Sequence, residues 1–168
     1  TPPAPPLRLE PCRVQGVATE LRCGVLEVEE NRAHPNGRRL PLKVIVVPAA
    51  SGPTAPDPVF FLAGGPGQAA TDLVPGIAEM GALPNRELVF VDQRGTGEGH
   101  RLDCDIGDAE ADPQLLLQPL FSEGAAVYRA CRQALEREAD LTQYGTVDFV
   151  ADLEQVREAL GYERINLE

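Results

Sequence analysis

Ala63-Gly64-Gly65-Pro66-Gly67 offers no side chain able to act on a substrate, yet it stands at the tip of the apolar run Val59-Phe60-Phe61-Leu62. A strand that ends in glycine-rich backbone and opens a helix presents unpaired N–H groups and a positive dipole end, which favour negative charge. Three chemistries use that arrangement. A nucleoside-triphosphate loop needs Gly, four residues, then Gly-Lys-Ser/Thr, and no lysine lies between Leu62 and Arg86. A dinucleotide fingerprint G-x-G-x-x-A fits Gly65 to Ala70, with Asp92 where a ribose-binding carboxylate belongs. Against it, two antiparallel-type strands precede the turn, and Pro66 removes one N–H that a pyrophosphate would use. The third use is an oxyanion hole, whose preorganised backbone donors stabilise the charge that acyl transfer builds on a carbonyl oxygen. On that reading the Gly65 N–H is a donor, Gly64 and Gly67 give the turn room, and Pro66 stiffens it. The plain alternative is a tight strand-to-helix turn and nothing more.

Other residues with chemical potential are fewer. Asp92 and Arg94, in Val89-Phe90-Val91-Asp92-Gln93-Arg94, are expected to pair or cap within their own turn, because a strand-end Asp and a buried Arg both need partners. Direct contact with substrate is the alternative role. The acidic stretch Asp103 to Asp112 lacks the Asp-x-Asp-x-Asp-Gly loop and closing Glu of a calcium site, and reads as solvated loop. His34 and His100 sit in polar stretches and no cysteine pair has C-x-x-C spacing, so no metal is expected. The four cysteines fall as two local pairs, Cys12 with Cys23 and Cys104 with Cys131. Four cysteines allow three pairings, and proximity favours this one; four free thiols in a reducing compartment remain the alternative.

The elements that must position these residues follow from the pattern. With 168 residues and 43% hydrophobic content the chain can build a real core. Its net charge of −11 argues against nucleic acid and anionic membrane partners. No apolar run approaches the roughly 20 residues of a membrane span. Residues 1–11 are Pro-rich and read as an extended linker, with the folded domain over 12–168. Strands are expected over Glu20–Glu29 and Leu40–Pro48, joined by a turn at Asn36-Gly37, and then at Val59–Ala63 and Glu87–Asp92. The latter two are continuous apolar runs of the kind buried on both faces. A short helix is expected from Gln68 or Ala69 to Met80, and another over Ser122–Ala139. A third begins at Thr146 as N-cap, stops at Gly161, and carries Val147, Val150, Leu153, Val156 and Leu160 as its apolar stripe. Arg164 to Glu168 then starts a last strand, expected to be central and buried beside the Phe60 and Phe90 strands. Two antiparallel strands followed by strand, helix, strand, helix, strand predict an α/β sheet.

Gly-Gly-Pro-Gly after an apolar strand, Asp92-Gln93-Arg94-Gly95-Thr96-Gly97 about 25 residues later, and the segment Asp152 to Leu167 together resemble the α/β-hydrolases related to proline iminopeptidase and the secreted tripeptidyl aminopeptidases. The resemblance runs from about Cys12 to the last residue. It implies an α/β-hydrolase fold, a Ser-His-Asp triad, no cofactor, and an exported protein with paired cysteines in similar places. It also implies peptides with a free N-terminus as substrates, with small esters as the alternative. Many relatives carry His where this chain has Ala63. In such enzymes the elbow G-x-S-x-G follows the strand that Arg164 begins, and neither serine of this chain, Ser51 or Ser122, lies in that motif. His34 and His100 do not match the family's catalytic histidine. The chain is therefore expected to be the N-terminal part of a serine hydrolase, inactive alone, whose partner is the remainder of the same enzyme, covalent or as a second chain.

Overall fold

Apolar side chains alternate along every long strand, and the alternation sorts the core onto two faces of one sheet. The structure is a computed structural model that describes residues 7–51, 54–65, 67–81, 83–104 and 124–168. Six strands among them, β1 (Glu10–Cys12), β2 (Leu21–Glu29), β3 (Arg39–Val47), β4 (Val59–Phe61), β5 (Leu88–Val91) and β6 (Asn166–Leu167), pair in the order β1-β2-β3-β5-β4-β6. The pairs β1-β2, β2-β3 and β3-β5 are antiparallel, whereas β5-β4 and β4-β6 are parallel. This mixed sheet with helices is the α/β class the pattern predicts.

One face of the sheet gathers Leu26, Val28, Leu42, Val44, Phe60 and Val89, and is covered by Leu153 and Val156 of helix α3 (Thr146–Ala159). The other gathers Leu21, Ile45, Val47, Leu88 and Phe90, and is covered by Ala70 of a 3₁₀ turn (Ala70–Leu73) and Val74 of helix α1 (Val74–Met80). Parallel strands need such cover on both faces, because their apolar residues point both ways.

Contacts divide the chain into two compact units, Thr1–Arg101 with Tyr144–Glu168, and Leu102–Gln143. The smaller contains helix α2 (Gly124–Leu135) and the Cys104–Cys131 disulfide, with 5.7 Å between Cα atoms. The Cys12–Cys23 disulfide, at 5.8 Å, lies in the larger and ties β1 to β2. Both expected pairings are present.

Several expectations are corrected. Leu7 and Leu9 pack against the core and Glu10–Cys12 forms an edge strand, so the extended linker does not reach residue 11. Pro11 hid that strand, yet an edge tolerates proline because one row of its backbone groups goes unpaired. The β2–β3 connection is no tight Asn-Gly turn. It spans residues 30–38 as two successive turns, with the His34 N–H donating to Asn31 O and the Gly37 N–H to His34 O, both 2.9 Å. The N-cap of α3 is Gly145 rather than Thr146, and its N–H is taken by Asp148 Oδ2 at 3.3 Å. The helix also presents a different face: Val147 is 83% and Val150 58% exposed, while Phe149, Asp152, Leu153 and Val156 turn inward. Its stop is as expected. Gly161 has φ 77°, and the N–H groups of Gly161 and Tyr162 donate to Glu158 O and Arg157 O, a Schellman ending. Finally, β6 is the outermost strand among the described residues, so the neighbours that would make it central have to come from outside them. It pairs with β4 alone among the described residues, β5 lies on the far side of β4, and Leu167 is 58% exposed.

Candidate functional site

The C-terminal ends of parallel strands are where α/β sheets place ligands, and the glycine turn leaves β4 at that end. Counting β1, it follows the fourth strand of the sheet. Gly65 adopts φ 126° and Gly67 φ 95°, a region that side-chain-bearing residues avoid. Gly64, Gly65 and Gly67 are exposed, and among the described residues no acceptor takes the Gly65 N–H. A Cβ on Gly65 would stand 3.1 Å from the backbone nitrogens of Gly67 and Gln68, so the turn folds tightly on itself. Pro66 lies outside the described residues.

The segment that follows the turn is fixed by a buried carboxylate. Asp92, at the end of β5, is 2% exposed and accepts the Thr71 N–H at Oδ1 (2.8 Å) and the Thr71 hydroxyl at Oδ2 (3.0 Å). Its own N–H donates to Lys43 O on β3 at 3.0 Å. The segment from the glycine turn into the 3₁₀ turn is thereby stapled to the neighbouring strand end. Burial pushes the Asp92 carboxyl above its ordinary value, and the two Thr71 bonds offset part of that rise. Gly97, with φ 71°, closes the clamp: a Cβ there would stand 2.2 Å from Asp92 Oδ2. The loop Asp92 to Gly97 is therefore a support for the segment that follows the glycine turn. Because Thr71 occupies the carboxylate, Asp92 is not free to hold a ribose, and the dinucleotide reading loses its acidic partner.

Arg94 turns to the opposite face. It is 3% exposed and grips Asp152 of α3 with two bonds, Nε to Oδ2 (2.7 Å) and Nη2 to Oδ1 (2.8 Å). Its Nη1 donates to Glu30 O at 3.0 Å, just past the end of β2. Burial opposes the Arg94 charge, and its surroundings, Asp152 first and then Asp148 and Tyr144, more than restore it. Arg32 also pairs with Asp152, and Arg38 pairs with Glu30 at 2.9 Å. Tyr144 donates its hydroxyl to Glu30 Oε1 (2.9 Å), holds His100 Nε2 at 2.7 Å, and lies beneath the Arg94 guanidinium, 5.9 Å from the ring centre. Burial first, and then the Glu30 bond, raise the Tyr144 phenol above its ordinary range. The partners that bury the charges of Asp92 and Arg94 are thus Thr71 and Asp152, not residues of their own turn. Their partners lie 21 and 58 residues away.

Beside the clamp a cleft of about 470 Å³ is lined by Lys43, Ile45, Thr71, Asp72, Pro75 and Glu98, among others. Lys43 and Glu98 pair across it at 2.8 Å, which holds the Glu98 carboxyl below its ordinary value. A second cleft, of about 500 Å³, includes Val47, Ala50 and Glu79, at the far end of the sheet. Ser51 belongs to that far end too, its N–H bonded to Pro84 O at 2.8 Å. His34 lies beyond β2, at the other end, so the structure does not bring these two together. Among the described residues, no group of three or more His, Cys, Asp or Glu side chains converges as a metal site. No helix there is long and apolar enough to cross a membrane. Ser122 and the acidic residues 105–112 fall outside the described residues.

Sequence reasoning missed Thr71, Gly97, Asp152 and Tyr144. Asp152 carried a usable signal, a lone acid among the inward positions of a helix, which calls for a buried cation such as Arg94. Gly97 carried a weaker one. Thr71 and Tyr144 carried none. No protein-family model matches the chain, and a search of curated proteins finds no match either.

Proposed function

We propose that this chain is the N-terminal part of a serine hydrolase of the α/β-hydrolase kind, an aminopeptidase acting on the free N-terminus of peptides, to which it contributes the oxyanion-hole loop. The observation that carries the proposal is the state of Gly65. Gly65 is exposed, its N–H has no acceptor among the described residues, and the segment just after its turn is braced by Asp92 and Gly97 from the adjacent strand. An oxyanion hole needs such a donor: fixed in advance, unpaired, and at the strand ends where substrate sits. The order of antiparallel strands, then parallel strands with helices on both faces, is compatible with that fold. The remaining donor and the triad would come from residues past Glu168. The outer edge of β6, unpaired among the described residues, and the exposed Leu167 offer surface for the remainder of the domain. Two disulfides support a secreted or periplasmic setting, where such bonds persist.

Kinetics of the complete protein carrying Gly65→Ala test the loop. The substitution forces a positive-φ residue to move and displaces the N–H. We expect kcat to fall about 10²-fold or more, as for loss of one oxyanion donor. The melting temperature should fall by only a few degrees, about the effect of 1 kcal/mol in a domain of this size, because the turn is exposed. Unchanged kcat would remove Gly65 from the site.

A further inference from the structure

We propose that Asp57 is the register pin of the parallel half of the sheet and, through β6, a positioning residue for the nucleophile; the second half rests on the hydrolase reading proposed above. Asp57 stands just before β4, the middle strand of β5-β4-β6. Its carbonyl oxygen accepts Arg86 Nε at 3.1 Å and Asn166 Nδ2 at 3.1 Å. Its carboxylate accepts Arg86 Nη2 at 3.1 Å and 3.0 Å, and Asn166 Nδ2 at 3.2 Å. Arg86 lies shortly before β5 and Asn166 opens β6, so one residue joins the entrances of three adjacent strands. Asn166 also donates its main-chain N–H to Pro58 O at 2.9 Å, and its Nδ2 lies 3.3 Å from the same oxygen.

The reason a pin is needed is the shortness of β6. Two residues are assigned to it, and its remaining ladder is Glu168 N–H to Phe60 O (3.1 Å) and Leu62 N–H to Glu168 O (2.9 Å). A parallel ladder repeats every two residues, so a two-residue slip restores the same backbone bonds and the same faces. Only side chains distinguish the registers: Ile165 packs against the core, and Asn166 on Asp57 is the polar contact that a slip breaks. Asn166 first, then Arg86, hold the Asp57 carboxyl below its ordinary value, so it is ionised and accepting at neutral pH. Each residue of slip moves the chain about 3.3 Å along the strand. A serine carried by the end of β6 would then miss the Gly65 N–H at the end of β4, and a misplacement of about 1 Å can already cost roughly 10²-fold in rate.

Amide exchange and steady-state kinetics on the complete protein test both halves, with Asp57→Ala, Asp57→Asn and Asn166→Ala. We expect Asp57→Ala and Asn166→Ala to speed exchange at the Glu168 and Leu62 amides about tenfold, while the β2 and β3 amides stay protected. We expect kcat on an aminoacyl ester to fall about 10²-fold with KM within about twofold. Asp57→Asn keeps an oxygen acceptor and should recover most of both. Unchanged exchange at Glu168 in both alanine variants overturns the pin, whatever the activity. Faster exchange with unchanged kcat overturns the positioning role. If the wild-type complete protein hydrolyses no ester or peptide while exchange responds as stated, the pin stands and the hydrolase reading fails.

Discussion

At the scale of single residues, two buried charges that face opposite ways hold the strand ends in place. Asp92 staples the segment after the glycine turn, and removing its carboxylate leaves the buried Thr71 N–H and hydroxyl without acceptors. An unsatisfied buried donor costs about 1–3 kcal/mol, so Asp92→Ala should destabilise by at least that much in urea unfolding. Its pH dependence has a definite sign. The folded carboxyl titrates above its ordinary value of 3.8, so its contribution to stability is full below that pH and fades as pH rises through the raised folded value. Asp92→Asn imitates the protonated form; its stability relative to wild type should therefore improve between about pH 3 and about pH 7. A flat or opposite trend would contradict the burial that raises it. Arg94 and Asp152 are a fully enclosed pair. Arg94→Met strands Asp152, a change that costs about 3–5 kcal/mol in such settings. Arg32 still reaches Asp152 and places the loss at the lower end. The double variant Arg94→Met/Asp152→Leu should lose clearly less than the sum of the singles, and additivity would mean that the two charges do not depend on each other.

At the scale of elements, the sheet was largely legible and the helix faces were not. Strands β2 to β5 were readable because apolar alternation and apolar runs are dictated by the two covered faces. Helix α3 shows why the rest was hidden. Counting apolar residues at helical spacing chose Val147 and Val150, because Asp152 broke the true stripe of Phe149, Leu153 and Val156. A buried ion pair looks polar in sequence and behaves as core in the fold. The two faces differ measurably. Leu153→Ala should cost about 2–5 kcal/mol in chemical denaturation, whereas Val147→Lys should stay within about 0.5 kcal/mol. The opposite ranking would restore the stripe through Val147. The clamp was illegible for a related reason: Asp92, Thr71 and Gly97 meet only once the β4 and β5 ends lie side by side, and nothing local to any of them announces the other two. The glycine turn was visible because a positive φ at Gly65 and Gly67 demands glycine.

At the scale of the whole molecule, the disulfides and the sheet edge frame what the chain is for. Cys12–Cys23 closes a short loop that ties an edge strand to its neighbour, and Cys104–Cys131 closes a longer one within the Leu102–Gln143 unit. Each should add about 2–4 kcal/mol by restricting the unfolded chain. Non-reducing peptide mapping should recover both pairs, and free thiols or a Cys12–Cys104 link would remove the support for an exported protein. On the proposed reading these residues supply the oxyanion loop and not the nucleophile. Fluorophosphonate labelling, read by mass spectrometry of the modified peptide, tests it most directly. In the complete protein the label should sit on a serine about three residues past Glu168, in the elbow that follows the β6 strand, and the isolated 168-residue chain should take none. Label on Ser51 or Ser122 of the isolated chain, or a complete protein that takes no label at any serine, would contradict the account.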